Sequence, residues 1–331
     1  DPYYCSETTE SSWHMLRDFL VPHVLGAAWE HPDDAAATWA SVRGNNFAKA
    51  GLEMACWDLF CRAQDQPLAG VLGGTRQEIH SGVSLGIEPT VAGILEQIEH
   101  ALDQGYRRIK MKIGPGRDLE YLRAVRERWP DVLLMADANS AYSLDNPAHV
   151  QALRALDELN LMMIEQPLAD DDIVDHARLQ AQLATPICLD ESIHSVHDAR
   201  KALDLGSCRI INIKVSRLGG LSEARRVHDL CASRGVPVWC GGMHEFGVGR
   251  AANVAISSLP GFTLPGDVSG SDLRYREDIV DPPIYAHQGA IAVPWGRPGL
   301  GFDANFERIK VRTVRELFLE TEGEPLAATH A

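Results

Sequence analysis

The chain has 331 residues, enough for one large domain with a smaller companion and a substantial core. Its 31 Lys and Arg against 46 Asp and Glu leave a net charge of −15, so no basic surface is available to neutralise nucleic-acid phosphates. An anionic substrate would need a local cation to offset that field. The longest apolar runs, such as Leu161-Met162-Met163-Ile164, are far too short for a bilayer, and no membrane partner is expected.

The opening Asp1-Pro2-Tyr3-Tyr4 has neither the basic start nor the apolar stretch of a secretory signal. The 7 cysteines are scattered, with no C-x-x-C pair, and read as core thiols in a reducing compartment, which makes the cytoplasm the expected location. Residues 1–79 read as mainly helical, with apolar faces over Ser12–Leu20 and Ala48–Cys61. Pro67-Leu68 and Leu72-Gly73-Gly74 look like a turn leading into the next part.

From His80 onward, short apolar runs alternate with helical spacing. The runs are His80–Ile87, Arg107–Ile113, Val132–Ala136, Leu161–Ile164, Pro186–Leu189, Arg209–Val215 and Val236–Cys240, then a weaker Phe262–Pro265. Between them, Thr90–Gln104, Leu119–Arg128, Ala148–Leu159 and Leu221–Ser233 have helical periodicity, and Gly105, Gly206 and Gly235 mark helix stops. This alternation predicts an α/β fold of parallel strands with crossover helices. With no G-x-G-x-x-G after the first strand, a closed barrel is favoured over an open doubly wound sheet. The expected division is 1–79, a barrel over 80–288, and a tail over 289–331, rich in Gly and Pro from Gly289 to Gly301, that leaves the barrel.

The chemistry lies where the strands end. Lys110-Met111-Lys112, Asp137-Ala138-Asn139, Glu165-Gln166-Pro167, Asp190-Glu191-Ser192 and Asn212-Ile213-Lys214 close successive strands. Steps of 25, 28, 25 and 24 residues from Lys112 through Asp137, Glu165 and Asp190 to Lys214 are one barrel unit each. The residues therefore stand side by side on the rim where barrels build active sites. Any one carboxylate alone reads as readily as a helix cap or a surface charge. Three on consecutive strands repel one another unless a cation sits among them, and an all-oxygen set favours a hard ion, Mg2+ ahead of Mn2+.

Lys112 and Lys214 flank the three carboxylates at opposite edges. A divalent ion and a second ammonium nearby would depress a lysine's pKa and make it a usable base. Such a site would hold a substrate carboxylate, stabilise an enediolate and allow proton exchange on either face. Lys110 alone reads as solvated or salt-bridged.

Together these strings resemble the enolase superfamily, in its muconate-lactonizing-enzyme-like branch, over nearly the whole chain. Within that branch, Val83-Ser84-Leu85-Gly86-Ile87, Ile113-Gly114-Pro115-Gly116 with Asp118, Asp137-Ala138-Asn139-Ser140-Ala141-Tyr142, Leu189-Asp190-Glu191-Ser192 and Gly241-Gly242-Met243 are similar to o-succinylbenzoate synthases and N-acylamino acid racemases. The resemblance implies a modified (β/α)7β barrel with an α+β capping domain, formed by the amino-terminal part and the carboxyl-terminal tail. It implies metal binding by Asp137, Glu165 and Asp190, with Lys112 and Lys214 as the acid/base pair. Ser84, Lys110, Asn139 and the backbone at Gly241 and Met243 would contact substrate, supported from behind by Glu191, Asn212 and Arg217. It also implies a small-molecule carboxylate substrate and a homo-oligomer, though no stretch of the sequence marks an interface.

The activity implied is dehydration to o-succinylbenzoate in menaquinone biosynthesis, racemisation of N-succinylamino acids, or both. Arg217, three residues beyond Lys214, tilts this towards racemisation by lowering that lysine's pKa, with a surface salt bridge as its equal alternative. Where relatives read Gly-Gly-Met-Leu-Glu-Ser, this chain reads Gly241-Gly242-Met243-His244-Glu245-Phe246, which implies either an altered acyl preference or a repacked loop. The opening residues resemble a point past the antiparallel sheet of the family's capping domain. Rival readings are a dipeptide epimerase, whose Asp-x-Asp motif Gly266-Asp267-Val268-Ser269 does not supply, a muconate-type cycloisomerase, and a catalytically silent binding barrel.

Overall fold

The computed structural model describes residues 2–86, 88–117, 119–273 and 275–320. Ile87, Asp118 and the tail beyond residue 320 lie outside the described residues.

The amino-terminal region is helical. The helix expected over Ser12–Leu20 begins earlier, at Thr9–Met15, because the Thr8 side chain accepts from Ser11 N and caps it; Leu16–Leu20 continues as a π-helical turn. The Ala48–Cys61 face lies within Asn46–Ala63. Leu20, Val24, Ala35, Trp39, Ala48 and Cys56 form a local core there. The segment from Pro67 to Gly74 corrects the sequence reading. It holds a short helix, Leu68–Leu72, that buries Leu68, Ala69 and Leu72 and ends where Gly73 turns left-handed at φ 92°.

The expected strand over His80–Ile87 is two strands, β1 (Glu78–His80) and β2 (Val83–Leu85). Between them Ser81 N donates to Gly289 O and Gly82 N to Gly266 O, so the backbone changes partners. Then follow β3 (Arg108–Lys112), β4 (Leu133–Asp137), β5 (Ile164–Glu165), β6 (Ile187–Leu189), β7 (Ile210–Ile213) and β8 (Val238–Cys240). Strands β2 to β8 pair in chain order, all in parallel. The weaker run completes the ring: Val238 bridges Phe262 and Ser81 bridges Gly266, both in parallel. The sixth expected run, Arg209–Val215, ends sooner than its apolar pattern, because Val215 already opens a helical turn, Val215–Leu218, that buries it by another route.

Helices cross between the strands. Leu119–Arg128 and Leu221–Ser233 have the expected bounds, while Ala148–Leu159 divides into Pro147–Ala155 and a 3-10 turn, Leu156–Leu159. Gly206 stops Val196–Leu205 at φ 74°. After the barrel, β9 (Val280–Asp281) pairs with β11 (Asp303–Ala304), and β10 (Ala290–Ala292) runs antiparallel to β1. The tail then reaches the amino-terminal helices, where Leu68 N donates to Gly299 O at 2.8 Å.

Alternation along each strand sorts side chains into two sets. Ile109, Leu134, Ala136, Ile164, Leu189, Ile211 and Val238 belong to the main core with the helices. Met135, Met163, Cys188, Ile210 and Trp239 form a separate cluster inside the ring. The barrel is therefore packed below its rim, and charged side chains occupy the layer above.

Candidate active site

The strand register delivers the charged layer. Lys112 lies opposite Asp137, Asp137 opposite Glu165, and Ser84 opposite Lys110. Asp137, Glu165 and Asp190 are buried at 1, 0 and 1 % exposure, so none is a surface charge. Each carboxylate meets a cation of the chain. Lys112 Nζ lies 2.6 Å from Asp137 Oδ2, Lys110 Nζ 3.1 Å from Glu165 Oε2, and Lys214 Nζ 2.8 Å from Asp190 Oδ2. Arg217 pairs with the other oxygen of Asp190, and Asn212 Nδ2 donates to Glu165 Oε1 at 2.8 Å.

These contacts set the protonation. Burial raises the Glu165 pKa, Asp137 adds to the rise, and Lys110 does not reverse it. Burial acts the same way on Asp137 and Asp190, but Lys110 and Lys112 hold the first below the ordinary carboxylate value, and Arg217 and Lys214 hold the second there. The Lys214 pKa is set here by its neighbours in the chain. Burial and Arg217 do push it down, yet Asp190 and Tyr4 outweigh them and the net direction is up. Arg217 is 4 % exposed and paired with Asp190, which rules out the surface salt bridge.

Lys110 is buried among three carboxylates, 2.6 Å from Asp267 Oδ2, 3.1 Å from Glu165 and 3.2 Å from Asp137, with its ammonium 5.1 Å from the Trp239 ring centre. Its charge is committed to the protein, and its pKa rises: burial opposes the charge, but Asp267 and Glu165 prevail. Asn139 is exposed at φ 39°, accepts from Lys112 Nζ and donates to Glu191 Oε1 at 2.8 Å. Glu191 is pushed up to about 7, chiefly by burial and then by Asp190. Gly241 sits directly against the base of the site. A Cβ there would fall 2.3 Å from Asn212 Oδ1 and 2.6 Å from Lys214 Cε, so only glycine leaves those side chains their places. Met243 N donates to Glu245 Oε2 at 2.6 Å. Phe246 stacks on Tyr275 at 4.3 Å, and the Tyr275 hydroxyl donates to the His244 carbonyl. Ser84 is half-buried on β2.

Among the described residues, no three His, Cys, Asp or Glu side chains gather closely enough to hold an ion. The donor set nevertheless fits one in kind. Its oxygens are hard and come from consecutive strand ends, and the carboxylates raise one another's pKa, Asp137 and Asp190 both acting on Glu165. Loading would require Lys112 and Lys214 to release Asp137 and Asp190.

Residues 93–309 match the family of enolase C-terminal domain-like sequences, and residues 3–73 match the N-terminal domain of the mandelate racemase and muconate lactonizing enzyme family. The chain belongs to the enolase superfamily and is an enzyme of that superfamily. It is 57% identical over 309 residues to an o-succinylbenzoate synthase of Geobacillus kaustophilus, covering 93% of this chain and 81% of that protein. It is 52% identical over 295 residues to an N-succinylamino acid racemase of Thermus thermophilus, covering 89% and 79%. A crystal structure of an enolase-superfamily member from Listeria innocua superposes with a TM-score of 0.90 at 41% identity, covering 94% and 83%. A muconate cycloisomerase from Pseudomonas fluorescens superposes at 0.87 with 26% identity, covering 93% and 86%.

Tyr4, Arg108 and Asp267 escaped the sequence reading. Tyr4 accepts from Lys214 Nζ at 2.7 Å and from Arg217 Nη2 at 2.6 Å, contacts made across more than two hundred residues that no local pattern records. Asp267, 2.5 Å from Arg108 Nη2, follows the weak eighth run and had one available signal, a carboxylate just past a strand-like segment.

Proposed function

We propose that this enzyme removes the proton α to a carboxylate by way of an enediolate, as an o-succinylbenzoate synthase, an N-succinylamino acid racemase, or both. The observation that carries the reading is Lys112 and Lys214 at opposite edges of three buried carboxylates. Mg2+, or Mn2+ in its stead, held by Asp137, Glu165 and Asp190 would supply positive charge for the substrate carboxylate and its enediolate. Lys112 Nζ, on a side chain 33% exposed, takes or returns the α-proton from one face. Lys214 Nζ serves the other face, or holds its charge beside the developing anion. Ser84, Asn139 and the Gly241–Met243 backbone position the substrate, while Glu191, Asn212 and Arg217 orient the groups that touch it.

The two chemistries ask different things of Lys214. Dehydration needs a single base that later acts as acid, and a charged ammonium at Lys214 suits the supporting role. Racemisation needs Lys214 itself to exchange protons. A dipeptide epimerase is disfavoured because Asp267 is occupied by Arg108 and Lys110 and is not presented to a substrate amino group. The reading extends to a cytoplasmic enzyme acting as a homo-oligomer; no helix of the described residues is long and apolar enough to cross a membrane.

The test is incubation of the magnesium-loaded protein with N-succinyl-phenylalanine in D2O, following α-proton exchange by NMR and optical rotation. Exchange with racemisation is expected, and dehydration is assayed separately on the synthase substrate. A folded, magnesium-bound protein inactive in both assays would overturn the proposal.

A further inference from the structure

We infer that Tyr4, from the segment ahead of the first helix, is a positioning residue that holds Lys214 in place for proton transfer; this rests on the function proposed above. Its hydroxyl accepts from Lys214 Nζ at 2.7 Å and from Arg217 Nη2 at 2.6 Å, and lies 3.4 Å from Asp190 Oδ2. Lys214 and Arg217 both also pair with Asp190. Two cations and two acceptors thus close a ring: Lys214, Tyr4, Arg217, Asp190. The phenol ring adds a second hold, its centre 5.3 Å from Lys214 Nζ and 5.3 Å from Arg217 Cζ.

The ring explains why a tyrosine belongs here. A phenol hydroxyl accepts two hydrogen bonds and donates one, which matches the two cations and the Asp190 oxygen. Burial, then Asp190, pushes the Tyr4 pKa up to about 12, so it stays a neutral hydroxyl rather than a second negative charge in the ring. The second acceptor matters because Asp190 is one of the carboxylates assigned to the metal. Once Asp190 turns away from Lys214, Tyr4 is the remaining acceptor in the ring that fixes the lysine's direction. Lys112 has no part in this ring, since it is held by Asp137 and Asn139. The two lysines are therefore positioned by different parts of the chain, one by barrel residues alone and the other with help from the amino-terminal segment.

That asymmetry supplies the test, with Tyr4→Phe keeping the ring face and removing only the hydroxyl. Each enantiomer of N-succinyl-phenylalanine is incubated separately in D2O with the magnesium-loaded wild type, Tyr4→Phe and Lys214→Arg. Exchange of the enantiomer lost in Lys214→Arg is expected to fall about 10- to 100-fold in Tyr4→Phe, while the other changes less than roughly threefold. Independently, in metal-free protein, reductive methylation of Lys214 relative to Lys112, mapped by mass spectrometry, should rise about two- to tenfold, the weight of one net hydrogen bond.

Equal slowing of both enantiomers, a raised KM with unchanged kcat for both, or an unchanged labelling ratio would each overturn the positioning role. A wild type that exchanges neither enantiomer would overturn the racemase chemistry instead. The labelling of metal-free protein would still decide whether Tyr4 anchors Lys214.

Discussion

The barrel rim and the amino-terminal region reach the same site by different physical routes. On the rim, charged residues follow apolar strands at one barrel unit each, and parallel pairing puts Lys112, Asp137 and Glu165 side by side. The amino-terminal region has no such period. It enters through single long-range contacts: Tyr4 on Lys214 and Arg217, and Glu53 on the start of helix Leu221–Ser233. Glu53 is 1 % exposed, and its carboxylate accepts from Leu221 N at 2.7 Å, Ser222 N at 2.9 Å and Trp57 Nε1 at 2.9 Å. That places a negative group on the orphan amides and positive end of a barrel helix. Repetition makes the rim readable, whereas partner choice across the fold makes the amino-terminal contacts invisible in one dimension.

The largest expected effect falls on the rim. Lys112→Ala should lower synthase and racemase turnover together by on the order of 10²–10⁴-fold, the usual contribution of a positioned acid or base. Lys214→Arg should remove racemisation more completely than dehydration, because arginine keeps the charge and gives up the exchangeable base. Steady-state assays of both reactions check this. Substantial synthase turnover in Lys112→Ala would break the assignment of that lysine, and parallel losses in Lys214→Arg would mean that the second lysine is more than a cation in dehydration.

The inter-region contact should show in stability. Glu53→Ala leaves the Leu221 and Ser222 amides without their side-chain acceptor and the Trp57 indole with Ser222 Oγ alone at 3.2 Å, at a cost of about 1–3 kcal/mol per buried group left unsatisfied. A urea denaturation midpoint equal to wild type would show that the helix start finds other partners. If helix Leu221–Ser233 transmits the strain, racemisation should fall along with stability; if the rim is self-sufficient, only stability should change.

The smallest effect concerns pH. The Glu191 pKa is raised by burial from an ordinary 4.5 to about 7, so the folded state holds its proton more tightly than the unfolded chain. Its contribution to stability is therefore fully present below about pH 4.5 and is lost as pH rises towards about 7. Glu191→Gln keeps an acceptor for Asn139 and removes the titration. In metal-free protein, the stability difference between variant and wild type should grow in the variant's favour across that window and level off above it. A difference independent of pH would place the proton elsewhere in the carboxylate cluster.

Much of the fold was legible because burial imposes periods. Apolar runs alternating with amphipathic segments announced the barrel, and the stop at Gly206 reads directly as a left-handed helix end. Errors came where local pattern and tertiary partner disagreed. Val215 extends the isoleucine-rich run of Arg209–Val215, yet it is buried by a helical turn instead of a strand. Leu68–Leu72 is too short to announce a helix, and it forms because three of its residues pack into the core.

The sequence by itself determined which residue types stand at the strand ends and in what order: three carboxylates between two lysines, spaced by a barrel unit. Strand period and crossover geometry leave little freedom in that placement. Only the tertiary structure decided which charges pair. Lys110 turned out to be held inside by Asp267 and Glu165, Arg217 to be buried on Asp190, and Tyr4 to be drawn onto Lys214. Such pairings depend on distances between side chains far apart in sequence, and in a buried site those distances set whether a group is neutral or charged.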